Sequence, residues 1–206
     1  MIRDQALAVS GLLNQKLGGP SVFPYQPPGV WQDATFGKRT YSLSQGNDLY
    51  RRSLYTFWRR IIAPTMFFDT ASRQTCSVNM SRTNTPLHAL TTLNDTTFVE
   101  ASRVLAQSIL VESQNENIEA DLETAFRSVL IRPPKLREIS ILERSFSRFL
   151  DYYQDHPDES KRLLSVGQAA QMETEPEQLS RLAAMTAVCN GCLLYTSDAA
   201  DEWRGV

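Results

Sequence analysis

In the second half of the chain apolar residues return every three or four positions, and this period most narrows what the chain can become. Leu122, Ala125, Phe126 and Val129 form one such set, and Ile139, Leu142, Phe146, Phe149 and Leu150 form another. Spacing of this kind puts the apolar side chains on one face of an α-helix and demands a second surface to cover that face. Pro133-Pro134 and His156-Pro157 fall between the periodic runs, where a residue without an N–H ends one helix or opens the next. The pattern predicts helices over residues 117–131, 136–154, 159–166 and 176–190, the last opened by Thr174 with Glu177 three positions on. The expected fold class is therefore mainly α, an irregular multi-helix bundle.

The first half reads differently. Ala6, Leu7, Val9, Leu12 and Leu13 predict a short helix over residues 3–14. From residue 16 to 47, Gly18-Gly19-Pro20, Pro24, Pro27-Pro28-Gly29 and Gly37 exclude a helix, and Phe23, Tyr25, Trp31 and Phe36 are interleaved among them. The bundle thus carries a long N-terminal loop rich in Pro, Gly and aromatic residues. Its rings supply buried area, so the loop is expected to wrap the helical core; lining a ligand groove is the other reading. Asp48 is placed to cap a helix in which Tyr50, Leu54, Phe57, Trp58, Ile61 and Ile62 recur and which Pro64 stops. A polar stretch over residues 69–78 ends in a candidate strand near Val78. Thr85 as cap and Pro86 at the first helical position start a helix with Leu87, Leu90 and Leu93 on its core face. Residues 94–97 interrupt it, and a second helix runs from Phe98 to about Leu110.

With 206 residues, 42% hydrophobic and 21% charged, the chain has enough apolar material for one sizeable core. No stretch approaches the ~20 apolar residues a membrane span requires. Residues 1–111 hold 11 Lys and Arg against 6 Asp and Glu, net +5, and residues 112–206 hold 10 against 17, net −7. Such an asymmetry either steers an acidic ligand to the first half or reflects two layers with complementary faces. No motif for nucleic acid frames the basic residues, so that class of partner is set aside. Cys76, Cys189 and Cys192 are too few and scattered for a disulfide framework.

Candidate site residues come from two places. The helix predicted from Asp48 carries Arg51, Arg52, Arg59 and Arg60 opposite its apolar face, and a guanidinium presents a planar fork to phosphate, sulfate or carboxylate. Pairing with the acidic half is the alternative. Arg82, Asn84, His88, Asn94, Asp95 and Glu100 crowd the two helix starts further on, where free N–H groups attract anions or polar side chains satisfy a tight corner. Arg51, Arg52, Arg82, Asn84, Asn94 and Asp95 are the ligand-binding candidates. No catalytic residue emerges: His156 sits in a turn, no Gly-rich phosphate loop follows a strand, and Cys76, His88 and Asp95 match no metal-ligand spacing, so no metal is expected.

Residues 192–206, including Cys192-Leu193-Leu194-Tyr195-Thr196-Ser197-Asp198, resemble the translated read-through of a transposon-end sequencing adaptor and are expected to be foreign. Met1, followed by Ile2-Arg3-Asp4, has no basic leader and reads as an internal methionine. The domain expectation is a single truncated unit over residues 1–191.

Four segments carry a family resemblance. They are residues 8–14 with Gly18-Gly19-Pro20-Ser21-Val22 and Pro24-Tyr25-Gln26-Pro27; residues 44–58, beginning Ser44-Gln45-Gly46-Asn47-Asp48; Arg82-Thr83-Asn84-Thr85-Pro86-Leu87; and Leu93-Asn94-Asp95 with Phe98-Val99-Glu100-Ala101. Together they resemble the C-terminal domain of large exported proteins of planctomycetes and related bacteria, domain of unknown function 1553, the PSD family. His88 departs from that pattern, which more often has Gln. The resemblance implies export to the periplasm or beyond, upstream domains in the same parent chain with c-type haem in one of them, and a link to polysaccharide use. No cofactor is expected within residues 1–206 themselves. Two functions follow as expectations: a binding or scaffolding module docking a partner or a glycan, or a catalytic domain, oxidative or hydrolytic, acting on acidic or sulfated polysaccharide.

Overall fold

The computed structural model describes residues 2–27, 29–31, 40–57, 86–113, 117–171 and 176–202. Among them the chain forms α1 (Ile2–Val9), α2 (Pro86–Asn94), α3 (Thr96–Glu112), α4 (Ile118–Leu130), α5 (Leu136–Asp155), α6 (Pro157–Leu164) and α7 (Pro176–Glu202), with no strand longer than an isolated bridge. The mainly α, multi-helix fold read from the apolar period is the one observed.

Local chemistry explains most of the helix ends. Asn117 caps α4 by accepting from the N–H groups of Glu119 at 3.0 Å and Ala120 at 3.3 Å. Asp95 interrupts the α2–α3 run for a single residue and caps α3, accepting from the Thr97 N–H at 2.9 Å. Glu138 reaches back to the Lys135 N–H at 2.6 Å to open α5, and Pro157 stands at the first position of α6. Helix α1 is shorter than its apolar run predicts, because Gly11 takes a φ of +76° and turns the chain away after Val9.

Helix α7 is the centre of the bundle. It packs most broadly on α3 and α5 and touches every other helix among the described residues. Leu182, Ala183, Met185, Val188 and Cys189 of α7 meet Phe98, Leu105 and Ile109 of α3, Leu122 and Phe126 of α4, and Phe146 of α5 in one continuous core, with Ala6 of α1 at its edge. Cys192 and Leu193 are buried in the same core.

The N-terminal segment wraps this bundle. Phe23, Trp31, Tyr41 and Phe57 form an aromatic cluster, Phe23 stacking on Phe57 at 4.9 Å and Trp31 lying 5.3 Å from Tyr41. The wrapping role expected of the loop is met by Val22 and Trp31, which are buried, and by Phe23 and Tyr25, which are half-buried. Phe36 lies outside the described residues.

The helix expected from Asp48 does not form. Two single 3-10 turns, Gly46–Tyr50 and Ser53–Tyr55, stand in its place, separated by extended backbone at Arg51. Leu54, assigned to the apolar face, is 70% exposed, whereas Arg51, assigned to the solvated face, is 2% exposed. The cause is tertiary. Asn14 pairs with Arg51 and Val22 with Thr56 in parallel bridges, and the Asn14 and Val22 N–H groups donate to Tyr50 and Tyr55 carbonyls at 3.0 and 2.9 Å. Tyr50, Tyr55, Thr56 and Phe57 weaken the helix propensity that Leu49, Arg51, Arg52 and Leu54 supply, and those bonds outweigh what is left. The candidate strand near Val78, with Trp58, Arg59, Arg60, Ile61 and Ile62, lies outside the described residues.

Candidate functional site

Three guanidinium groups with almost no exposure organise the interface between the wrap and the bundle. Irregular backbone leaves carbonyls that no helix or sheet satisfies, and an arginine with five donors can collect several of them. Arg3 of α1 donates to the carbonyls of Arg51 at 2.9 Å and Leu49 at 3.0 Å. Arg51 donates to Pro20 at 3.0 Å, to Lys16 at 3.2 Å and to Gly18, and its guanidinium lies 4.0 Å above the Tyr55 ring. Arg103 of α3 donates to Ala169 at 2.9 Å and Ala170 at 3.1 Å, in the link between α6 and α7. Burial lowers the pKa of Arg3 and of Arg103; Asp4 and Asp95 pull Arg3 back up, and Glu100 does the same for Arg103.

Glu100 is the hub beside them. Its side chain is fully buried on α3, and Oε1 accepts from Tyr50 Oη at 2.9 Å, Tyr25 Oη at 3.4 Å, and the backbone N–H groups of Gln168 at 2.5 Å and Ala169 at 2.6 Å. The wrap, the 46–57 segment, α3 and the 165–171 link therefore meet on one carboxylate. Burial first, and the neighbouring Glu100 charge second, raise both tyrosine pKa values. Oε1 of this enclosed carboxylate joins four segments of chain, while Oε2 is buried without a hydrogen-bond partner among the described residues.

Of the six predicted ligand-binding residues, Arg51, Arg52, Asn94 and Asp95 are among the described residues. Arg51 is committed to the carbonyls of the wrap. Asn94 is exposed and returns its Nδ2 to the Leu90 carbonyl at 2.8 Å within α2. Asp95 is the α3 cap; burial pushes its carboxyl up, while bonds from Thr97 and the Arg3 charge pull it down. Arg82 and Asn84 lie outside the described residues. Arg52 lines an open groove of about 640 Å³ with Asp4, Gln5, Leu13, Gln15 and Leu17. Asp4 is held there by the Ser53 N–H at 2.8 Å and the Ser53 hydroxyl at 2.5 Å. Among the described residues no three His, Cys, Asp or Glu side chains group as metal ligands.

Arg3, Tyr25, Tyr50 and Arg103 were not legible as a cluster. Arg3 did carry a signal, since it stands three and four positions before Ala6 and Leu7 and so shares the buried face of α1. Arg103 stands three positions after Glu100 on one side of α3, which brings the charges together but says nothing of the carbonyls Arg103 serves or of the N–H groups Glu100 accepts from.

The model of the family PSD1, protein of unknown function (DUF1553), matches residues 1–146. The chain belongs to this family. No curated protein and no solved structure matches it. The part of the PSD1 domain that matches takes in α1, the wrap, α2 to α4 and the first half of α5, and so contains the arginine clamps and Glu100. Their partners Gln168, Ala169 and Ala170, and the central helix α7, follow the matched span.

Proposed function

We propose that this PSD1 domain is a binding and scaffolding module of an exported multidomain bacterial protein, held beside upstream domains of the same chain, one of them carrying c-type haem. One observation carries the reading: the buried Arg3, Arg51, Glu100 and Arg103 are engaged within the chain, whereas Arg52 stands at an open groove. A domain built this way presents a rigid surface and keeps its polar interior for its own backbone. Family resemblance supports export, the haem-bearing neighbour and a link to polysaccharide use. No helix among the described residues is long and apolar enough to cross a membrane.

The groove chemistry suits a polyhydroxylated acidic ligand. Gln5 and Gln15 offer amides that donate and accept, Leu13 and Leu17 offer aliphatic surface to C–H faces, and Arg52 offers a fork to a carboxylate or sulfate. Calorimetric titration of the parent protein with carboxylated and sulfated oligosaccharides tests the reading. Binding that Arg52→Ala weakens by about tenfold is the expected result. Turnover of such a polysaccharide that substitution at Arg82 or Asp95 abolishes, with the fold intact, would establish the catalytic alternative instead.

A further inference from the structure

Arg52 stands between two residues that the fold commits elsewhere. Arg51 turns inward to the carbonyls of Lys16 at 3.2 Å, Pro20 at 3.0 Å and Gly18, and Ser53 turns inward to Asp4. Both are buried, and Arg52 is exposed. Successive side chains alternate on extended backbone, so fixing Arg51 and Ser53 inward sends Arg52 outward. The same two residues set the walls of the groove that Arg52 lines: Arg51 pins the backbone on both sides of Leu17, and Ser53 pins Asp4. The groove is thereby shaped before any ligand arrives.

Its two charges do not pair with each other. Asp4 takes the Ser53 N–H and hydroxyl on Oδ1 alone, and its Oδ2 accepts no hydrogen bond among the described residues. Its ion-pair partner is the buried Arg3 behind it, at 3.6 Å, which also donates to Ser53 Oγ at 3.3 Å. Arg52 has no ion-pair partner among the described residues. Arg3, Asp4 and Arg52 therefore sum to one positive charge, and it stands at Arg52. Gln5 sends its Nε2 to the Val129 carbonyl at 3.4 Å, which leaves its Oε1 as a second acceptor near Asp4.

We propose that the groove takes a uronate unit of a glycan, its carboxylate on Arg52 and two vicinal hydroxyls on Asp4, and that Asp4 selects this unit against densely sulfated chains. This rests on the groove being the ligand site proposed above, and it narrows the acidic ligand to one anionic group per unit. One unmatched guanidinium fork matches one carboxylate. A carboxylate whose charge is already met by Arg3 offers lone pairs rather than a charge to neutralise, so Asp4 favours hydroxyl donors over an ammonium. The same charge opposes a second anionic group on the unit, which is where a sulfate in place of a hydroxyl would stand. Leu13 and Leu17 give the sugar ring its aliphatic contact.

Calorimetric titration of the intact chain at ~0.15 M salt, with oligomers of galacturonate, sulfated dextran and glucosamine matched in length, tests this. Galacturonate should bind about tenfold or more tighter than sulfated dextran, and glucosamine weakest. Asp4→Asn keeps an acceptor for Ser53 and removes the charge. It should weaken galacturonate about fivefold and strengthen sulfated dextran about fivefold. A damaged fold would weaken both, so the opposite signs isolate selection. Sulfated dextran binding as tightly as galacturonate, with Arg52→Ala weakening both, would overturn this inference and leave the acidic-glycan reading standing. Asp4→Asn weakening both ligands, or leaving both unchanged, would overturn it too. Glucosamine binding tightest, or no binding of either acidic oligomer, would overturn the inference and that reading together.

Discussion

Gly167 shows how closely single residues are held. Its φ is +91°, and a Cβ built there would stand 2.2 Å from the Glu100 carboxyl carbon, so both backbone strain and overlap oppose any side chain. Gly167→Ala should destabilise the fold by about 3 kcal/mol, measured by urea unfolding. Glu100→Ala should do as much by the opposite route, removing the acceptor of the Tyr25 and Tyr50 hydroxyls and of the Ala169 N–H, and leaving the Gln168 N–H with the Tyr25 hydroxyl alone. At the surface, the Arg132 guanidinium holds the Glu138 carboxyl down to about 2, from an ordinary value of 4.5. A depressed carboxyl pKa contributes stability above the unfolded value and loses it as the pH falls toward the folded one. The gap in unfolding free energy between the parent and Glu138→Gln should therefore stand at neutral pH and close between about pH 4.5 and 2. Both side chains are partly exposed, which keeps that gap to at most about 1 kcal/mol.

Among elements, the contrast between α4 and the 46–57 segment separates what sequence period can and cannot do. In α4 the apolar set, the Asn117 cap and the acidic first turn with Glu119 and Asp121 all favour one helix, and one helix forms. Asn117→Ala should cost about 1 kcal/mol, read as a lower midpoint of the same single transition. Residues 48–57 offered a helical period too, but Arg3 and the 14–22 segment supply backbone partners that a helix would forgo. Because Arg51 satisfies three carbonyls of the wrap, Arg51→Met should loosen residues 14–22 before the bundle. Hydrogen exchange at the Val22 N–H, which donates to Tyr55, should rise several-fold while that of α3 and α7 holds.

For the whole molecule, α7 sets the cooperativity, since every other described helix packs against it. Met185 is fully buried at that centre, so Met185→Ala should cost about 3 kcal/mol and lower one transition seen equally by near- and far-ultraviolet circular dichroism. The bundle was largely legible beforehand because a 3.6-residue period, caps and prolines are local properties written in adjacent residues. The site was not. Arg51 and Asp95 were identified as polar groups at a helix face and a helix start, yet only the packing of distant segments turned one into a carbonyl clamp and left the other a cap.

The amino-acid sequence by itself determined that helices would stand from Pro86 to about Leu110 with a break near Asp95, and over residues 117–131, 136–154, 159–166 and 176–190, that Pro and Gly would keep residues 16–27 and 40–45 irregular, and, through the resemblance its segments carry, the family. Tertiary structure alone decided that the buried Arg3, Arg51 and Arg103 would serve carbonyls outside the α-helices and that Glu100 would join four segments. The reason is the same in each case: a helix satisfies its backbone within four residues, whereas a loop satisfies it with whatever donor the fold brings near.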